Sequence, residues 1–167
     1  MTIMRQPFYI AGNAPNGLIW KTVSLPGTSE NAGVARELLR GLWRANPHLN
    51  SDILDDLLLM VSELFSNAVR HTSSGEPGGR VGLVIAANEK WVRVEVTDEG
   101  SRSVPRAAGK ATEDEAMEQG GWGLALVGMR ADTWGHGPRG NGRVVWFEKG
   151  SNEGAGGPLD RRAASCR

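Results

Sequence analysis

The segment from Ser51 to His71 constrains the fold more than any other part of the sequence. It predicts a helix that begins with Ser51 or Asp52 as its cap. Its apolar residues are Ile53, Leu54, Leu57, Leu58, Met60, Val61, Leu64, Phe65 and Ala68. They cover most of the circumference, so the helix has to be buried on nearly all sides. A chain of 167 residues is long enough to build one domain with a core around it.

A polar stripe follows the same helix. Glu63, Asn67 and His71 recur at intervals of four residues, which places them on one side, one turn apart. Asn is a mediocre residue for a helix interior because its amide competes for backbone hydrogen bonds. A solvent-facing stripe is the simplest explanation for Glu63 and Asn67 taken alone. His71 at the end of the helix is most simply explained by its favourable interaction with the helix dipole.

Two elements are predicted before the apolar helix. The run "GLIWKTVSL" is typical of a strand, with Leu18, Trp20 and Leu25 facing the core. A helix follows that opens at Thr28 or Ser29 and ends before the next proline. Its expected apolar stripe consists of Val34, Leu38, Leu39 and Leu42.

After the apolar helix the chain alternates as strands. The runs "RVGLVIAAN" and "KWVRVEVTD" predict a hairpin that turns at residues 88–90. Regular patterning is then lost from about Glu99 to Gly120, a stretch that is either a functional lid or disordered. A short helix in "WGLALVGMRADTW" and a last strand in "GRVVWFEK" complete the series.

This order of elements predicts an α/β (α+β) two-layer sandwich: a mixed, mostly antiparallel sheet with helices on one face. The valines expected to share one face of their strand are Val92, Val94 and Val96. The tryptophans expected in the core between sheet and helices are Trp20, Trp91 and Trp146. We expect one domain over residues 17–149, a flexible segment over 1–16 and a disordered tail over 150–167.

Composition narrows the kinds of partner. Lys plus Arg total 19, as do Asp plus Glu, so the net charge favours neither nucleic acid nor a membrane surface. No apolar run approaches the roughly 18 residues of a membrane-spanning helix. Cys166 is the single cysteine and cannot form an internal disulfide, which is typical of a reducing cytoplasm.

Three further features make the polar stripe more than a solvent face. Asp98 ends a valine-rich strand and is followed by Gly100. Gly121 and Gly123 open a helix about twenty residues later, and a segment without regular patterning joins the two. A helix start gathers unpaired amides that suit phosphates, and glycines allow a close approach. A carboxylate such as Asp98 can accept a hydrogen bond from the amino group of adenine.

The stripe itself carries suitable chemistry for such a pocket. The side-chain carbonyl of Asn67 is an oxygen ligand that can hold Mg²⁺ against phosphates. Glu63, one turn earlier, can orient or deprotonate an attacking group. These residues together predict a nucleotide pocket.

Three stretches resemble the nucleotide-binding boxes of the GHKL ATPase superfamily: "SELFSNAVRH", "VTDEGS" and "GGWGLALV". The nearest branch is that of the bacterial anti-sigma factor serine/threonine kinases. The resemblance covers roughly residues 18–149, and it is the order and spacing of the three boxes that make it specific. It implies a Bergerat-type ATP-binding fold with a mobile lid at about 99–121.

The resemblance also implies a role for each matching residue. Glu63 corresponds to the catalytic base and Asn67 to the residue that binds Mg²⁺. Asp98 corresponds to the residue that recognises adenine, and Gly100 makes the turn beneath the base. The residues that match the second glycine box, at the triphosphate, are Gly121, Gly123 and Leu124. The implied cofactors are therefore ATP and Mg²⁺.

Two positions depart from the family pattern. Arg102 stands where a second glycine is usual, which predicts an altered lid and a guanidinium near phosphate. Val144 stands at the position assigned to a threonine near adenine, so one hydroxyl contact worth about 0.5–1.5 kcal/mol would be missing.

Two functions of different class follow. The first is a cytoplasmic kinase that phosphorylates an anti-sigma factor antagonist and sequesters a sigma factor. The second is a module of the same fold that sequesters a protein partner, with ATP structural, weakly bound or absent. Neither requires direct contact with nucleic acid or a membrane, and both leave a homodimer open.

Overall fold

A six-stranded antiparallel sheet forms one layer of the domain in the computed structural model, which describes residues 10–14, 18–100 and 123–150. The strands are β1 (Ile10–Ala14), β2 (Leu18–Pro26), β3 (Arg80–Ala87), β4 (Trp91–Thr97), β5 (Thr133–Arg139) and β6 (Gly142–Gly150). Their spatial order is β1-β2-β3-β4-β6-β5, and every neighbouring pair is antiparallel. The expected two-layer α+β architecture is confirmed.

Helices form the second layer. They are α1 (Asn31–Ala45), α2 (Leu54–His71) and α3, which is helical over 123–130. Two 3₁₀ turns, Ser51–Ile53 and Ser73–Gly75, flank α2. None of the helices in the described ranges is long and apolar enough to span a bilayer.

The starts of α1 and α2 differ from the expectation. Asn50, rather than Ser51 or Asp52, supplies the side-chain cap before α2, because its Oδ1 accepts the backbone amide of Asp52 at 2.9 Å. Neither Thr28 nor Ser29 is the N-cap of α1, whose capping position is Glu30 and lacks a side-chain cap bond.

The core lies between the sheet and the helices, with α2 at its centre. Alternation along β4 turns Val92, Val94 and Val96 into this core, as the sequence predicts. The fully buried residues of α2 include Leu57, Met60, Val61 and Phe65. The predicted burial of α2 on most sides is thus confirmed.

Some expected core positions are wrong. Trp20 is 38% exposed. Successive side chains of a strand point to opposite faces of the sheet, and Val23 and Leu25 are the β2 residues that face the helices, so Trp20 faces the other side. Val34 is 41% exposed, whereas Ala35 and Trp43 of the same helix are buried.

Trp91 and Trp146 also lie on the outer face of the sheet rather than between sheet and helices. Trp146 pairs with Glu95, which alternates with the buried valines of β4. The Arg93 guanidinium stacks on the Trp146 ring at 4.0 Å and pairs with Glu95 and Glu148. The outer face is therefore built from an aromatic and charged network.

Two strands are absent from the sequence prediction. Residues 10–14, assigned to a flexible segment, pair with β2. Residues 133–139 form the edge strand β5, whose glycines and proline gave it a weak strand signal. Segments 1–9, 15–17, 101–122 and 151–167 lie outside the described residues, and with them most of the predicted lid and Cys166.

Candidate active site

The polar stripe of α2 meets Gly123, the first described residue of α3. A Cβ placed on Gly123 would lie 2.9 Å from Asn67 Nδ2 and 3.0 Å from Glu63 Oε2. A Cβ at this position would press on the ends of both polar side chains, so glycine lets α3 lie directly above the stripe without displacing them. The structure thus brings together Glu63, Asn67 and Gly123, as the sequence predicts.

The Asn67 carboxamide has unused bonding capacity. Its Nδ2 is buried, and no hydrogen-bond partner reaches it from the described part of the chain. Buried polar groups are nearly always paired, so an orphan of this kind requires an explanation. Amide nitrogen and oxygen are assigned from hydrogen bonds, so the atom in this place is equally consistent with the carbonyl oxygen. An oxygen there fits a ligand for Mg²⁺.

The described residues supply no cluster of three or more His, Cys, Asp or Glu side chains that could hold a metal ion on its own. A single Asn oxygen beside Gly123 suits Mg²⁺ that arrives with a nucleotide, since this ion is commonly held by few protein ligands together with phosphates and water. The residues present therefore fit a metal–nucleotide pair.

Helix α3 is held at the end away from the site. Val127 is fully buried, and Leu124 packs against the same core. Lys149 Nζ donates to the Arg130 carbonyl at 2.6 Å, and Arg130 and Lys149 both pair with Asp56 of α2. Burial opposes ionisation of Asp56, but the hydrogen bonds from Lys149 and Arg130 outweigh it and lower its pKa. These contacts hold α3 in place with Gly123 against the stripe.

Asp98 lies directly after β4 and continues its alternation, so it is on the same side of the sheet as the valines that face the helices. Its Oδ1 accepts the backbone amides of Gly100 at 2.7 Å and Arg143 at 3.2 Å. Within the described ranges, no hydrogen bond uses Oδ2. One carboxylate oxygen therefore orients the side chain, and the other is left for a ligand.

Gly100 makes the tight turn that the sequence predicts. Its φ is +75°, in the left-handed region, and a Cβ there would lie 2.4 Å from the Asn141 carbonyl oxygen. Backbone conformation and space both require glycine.

Ser74 is a residue that the sequence reading missed. It is fully buried, and its hydroxyl accepts the backbone amide of Glu99 at 2.9 Å. The neighbouring Ser73 amide donates to the Gly100 carbonyl at 2.7 Å. The run "SSGEPGG" gave only a turn signal, because the partner of this hydroxyl lies 25 residues away along the chain.

The role expected for Val144 is wrong. Val144 pairs with Thr97, whereas Val145 pairs with Val96 and packs against the core. Val144 therefore points to the outer face, away from the space between sheet and helices. Its lack of a hydroxyl does not affect a ligand beside Asp98.

The remaining predicted residues divide by position. Leu124 lies in α3 next to Gly123, whereas Gly121 and Arg102 lie outside the described residues, so their roles stay predictions. His71 is exposed at the C-terminal end of α2.

Comparison with known families identifies this arrangement. The sequence profile of the histidine kinase-like ATPase domain matches residues 25–149, which include α1, α2, the Asp98 turn, α3 and β6. The chain belongs to this family. The resemblance to the GHKL superfamily noted from the three boxes is thereby confirmed.

Individual relatives of this histidine kinase-like ATPase domain share a name. The serine-protein kinase RsbW of Listeria monocytogenes serotype 4a (strain HCC23) is 29% identical over 113 residues, 64% of this chain and 71% of that protein. RsbW of Oceanobacillus iheyensis is 27% identical over 112 residues, 63% of this chain and 70% of that protein. The proteins to which this chain is similar therefore include serine-protein kinases.

Proposed function

We propose that this domain binds ATP with Mg²⁺ and transfers the γ-phosphate to a serine or threonine hydroxyl of a protein partner in the cytoplasm. The partner is an anti-sigma factor antagonist, and the domain also sequesters a sigma factor. The observation that carries the proposal is the contact of Gly123 with Glu63 and Asn67. The name of the relatives, serine-protein kinase, supports the choice of a hydroxyl acceptor.

Asn67 and α3 form the phosphate end of the site. The Asn67 oxygen would hold Mg²⁺, which when bound neutralises charge on the phosphates. A start of α3 close to Gly123 would direct backbone amides to the same phosphates. The glycine removes the Cβ that would fill this space.

Asp98 and Gly100 form the base end. Asp98 Oδ2 would accept a hydrogen bond from the adenine amino group, while Oδ1 stays bound to two backbone amides. The glycine turn lets the backbone approach the base closely.

Glu63 is the catalytic residue of the proposal. It would accept the proton of the partner's hydroxyl while that oxygen attacks the γ-phosphorus and ADP leaves with the electrons of the broken bond. Phosphoryl transfer depends mainly on placement and charge neutralisation, so one base beside the metal suffices.

The test is transfer to a partner. The protein is incubated with MgATP and each candidate antagonist, and the partner is examined by mass spectrometry for the gain of one phosphate. A non-hydrolysable ATP analogue is the control and should give binding without a mass gain. A partner that binds but gains no phosphate from the wild-type protein would favour the alternative, a non-catalytic module that sequesters its partner.

A further inference from the structure

Ser74 has a buried hydroxyl that the proposed function does not use. Of the residues that the structure describes as buried, Ser74 is the one with a polar side chain, and its exposed fraction is 0%. It lies in the 3₁₀ turn that follows α2, the helix that carries Glu63 and Asn67. A polar group in so dry a place has to be bonded, and its partner is the Glu99 amide.

The backbone around Ser74 is held in place by close packing. A Cβ on Gly27 would lie 1.7 Å from the Ser74 carbonyl oxygen, and one on Gly79 would lie 2.3 Å from it. The Ser74 backbone amide also donates a hydrogen bond to Thr72 Oγ1 at 3.1 Å. The Ser74 hydroxyl therefore projects from a fixed point and has little freedom to follow a shifting partner.

The partner of this hydroxyl is the peptide group directly after Asp98. On one side, Arg143 of β6 exchanges backbone and side-chain bonds with Asp98. On the other side, the Ser74 hydroxyl holds the Glu99 amide and the Ser73 amide holds the Gly100 carbonyl. The Asp98 turn is thus clamped between β6 and the loop after α2.

We propose that Ser74 is a positioning residue that sets base selectivity by holding the Asp98 carboxylate in its orientation. Its loop continues directly from α2, so it also keeps the base end in register with Glu63 and Asn67. The inference rests on the proposed function, in which Asp98 recognises adenine. Ser74 itself touches no ligand and acts through the Glu99 peptide.

The neighbouring serine supplies a matched control. Ser73 contributes its backbone amide to the clamp, which a side-chain substitution retains. We expect Ser74→Ala to weaken ATP binding by about 5- to 10-fold, the effect of one lost hydrogen bond, and GTP binding by less than about 2-fold. Ser73→Ala should leave both affinities within about 2-fold. Calorimetry with each nucleotide in Mg²⁺ measures the ratio.

A purely structural role for Ser74 predicts a different result. Ser74→Ala would then weaken ATP and GTP equally, and the unchanged ratio would overturn the inference. If wild-type protein binds the two nucleotides equally, the adenine role of Asp98 fails and this inference fails with it. Selectivity that is present in wild type and persists in Ser74→Ala defeats the Ser74 inference alone.

Amide hydrogen exchange supplies a test that needs no variant. In the wild-type protein without nucleotide, the Glu99 amide should exchange at least about 100-fold more slowly than an unprotected amide, because it is bound to a buried hydroxyl. Free exchange at Glu99 would overturn the inference even if Ser74→Ala does not fold. In a folded Ser74→Ala protein this protection should be lost, and it should persist in Ser73→Ala.

Discussion

The two ends of the site are built in opposite ways. At the base end, Asp98, Gly100 and Ser74 are tied together by hydrogen bonds between 2.7 and 3.2 Å, and Asp98 Oδ2 is left over. At the phosphate end, Glu63 and Asn67 lie beneath Gly123, and the Asn67 Nδ2 atom is buried and unpaired within the described residues.

In the proposed function, this difference assigns recognition of the nucleotide to one end and the reaction to the other. A group whose orientation is set before binding loses little freedom when a ligand arrives, so the base end is suited to selectivity. A buried group that the described residues leave unpaired is suited to a ligand, so in the proposed function metal and nucleotide complete the phosphate end. Changes at the base end should therefore alter which nucleotide binds, and changes at the phosphate end should alter transfer and metal dependence.

The largest expected effect concerns the reaction at the phosphate end. Glu63→Ala should lower phosphate transfer by about 100-fold or more, the usual scale for a general base, while ATP affinity stays within a few-fold. Single-turnover transfer assays and calorimetry measure the two quantities. Asp55→Ala, an exposed carboxylate of the same helix, is the control and should change neither. Equal losses of affinity and transfer would contradict a role limited to the reaction.

Metal dependence at the phosphate end comes next. Loss of even an outer-shell group typically costs 10- to 100-fold in metal affinity, so loss of the proposed ligand oxygen in Asn67→Ala should weaken MgATP binding by at least about 10-fold. ATP binding in EDTA should be weak in the wild type and nearly unchanged by the substitution. The adjacent Ser66→Ala serves as control. If the wild type binds ATP with the same affinity with and without EDTA, the proposal that Asn67 binds Mg²⁺ is wrong.

A single-atom change can probe the base end. Asp98→Asn keeps an oxygen to accept the Gly100 and Arg143 amides and places a donor where Oδ2 was. We expect the wild type to prefer ATP over GTP by at least about 10-fold, because a carboxylate facing the guanine carbonyl would be unpaired. The variant should lose this preference, and exposed Asp52→Asn should retain it. Competition binding measures the ratio, and equal binding by wild type would remove Asp98 from the base pocket.

The smallest effect lies on the outer face of the sheet, which belongs to neither end. Burial disfavours charged Glu95, but the hydrogen bonds and charges of Arg93 and Arg139 outweigh it, so its pKa is lowered from 4.5. A lowered folded pKa gives stability that is complete above the unfolded pKa and is lost as pH falls through the folded pKa. As the pH falls below about 4.5, the unfolding free energy of the wild type should therefore decrease by up to about 1 kcal/mol more than that of Glu95→Gln.

Chemical denaturation across pH 3–6 measures this difference, with exposed Glu89→Gln expected to follow the wild type. Nucleotide affinity and the ATP to GTP ratio should be the same in Glu95→Gln and wild type. A change in either would show that the outer face is coupled to the site and would break the comparison between its two ends.

The strongly patterned elements were predictable from sequence, and the weakly patterned ones were not. The apolar face of α2 and the alternating valines of β4 appear as expected, because periodicity reports burial directly. Strand β5 was missed because Gly135, Gly137 and Pro138 give it little strand propensity of its own. Its place comes from pairing with β6, which no local window contains.

Side-chain direction shows the same limit. Trp20 was expected in the core and the family resemblance placed Val144 near adenine, yet both side chains face outward. The register of a strand decides which of its side chains face the core, and a shift of one residue moves every side chain to the opposite face of the sheet.

Local spacing along the chain was enough to predict the site residues that lie close together in sequence. Glu63 and Asn67 share a helix face because of their four-residue interval, and Gly100 follows Asp98 because a tight turn is needed there. The contact of Gly123 with the stripe and the hydrogen bond from the Glu99 amide to Ser74 depend instead on tertiary packing. These contacts join residues 25 or more positions apart, and packing of the whole domain, rather than any local preference, brings such groups within bonding distance.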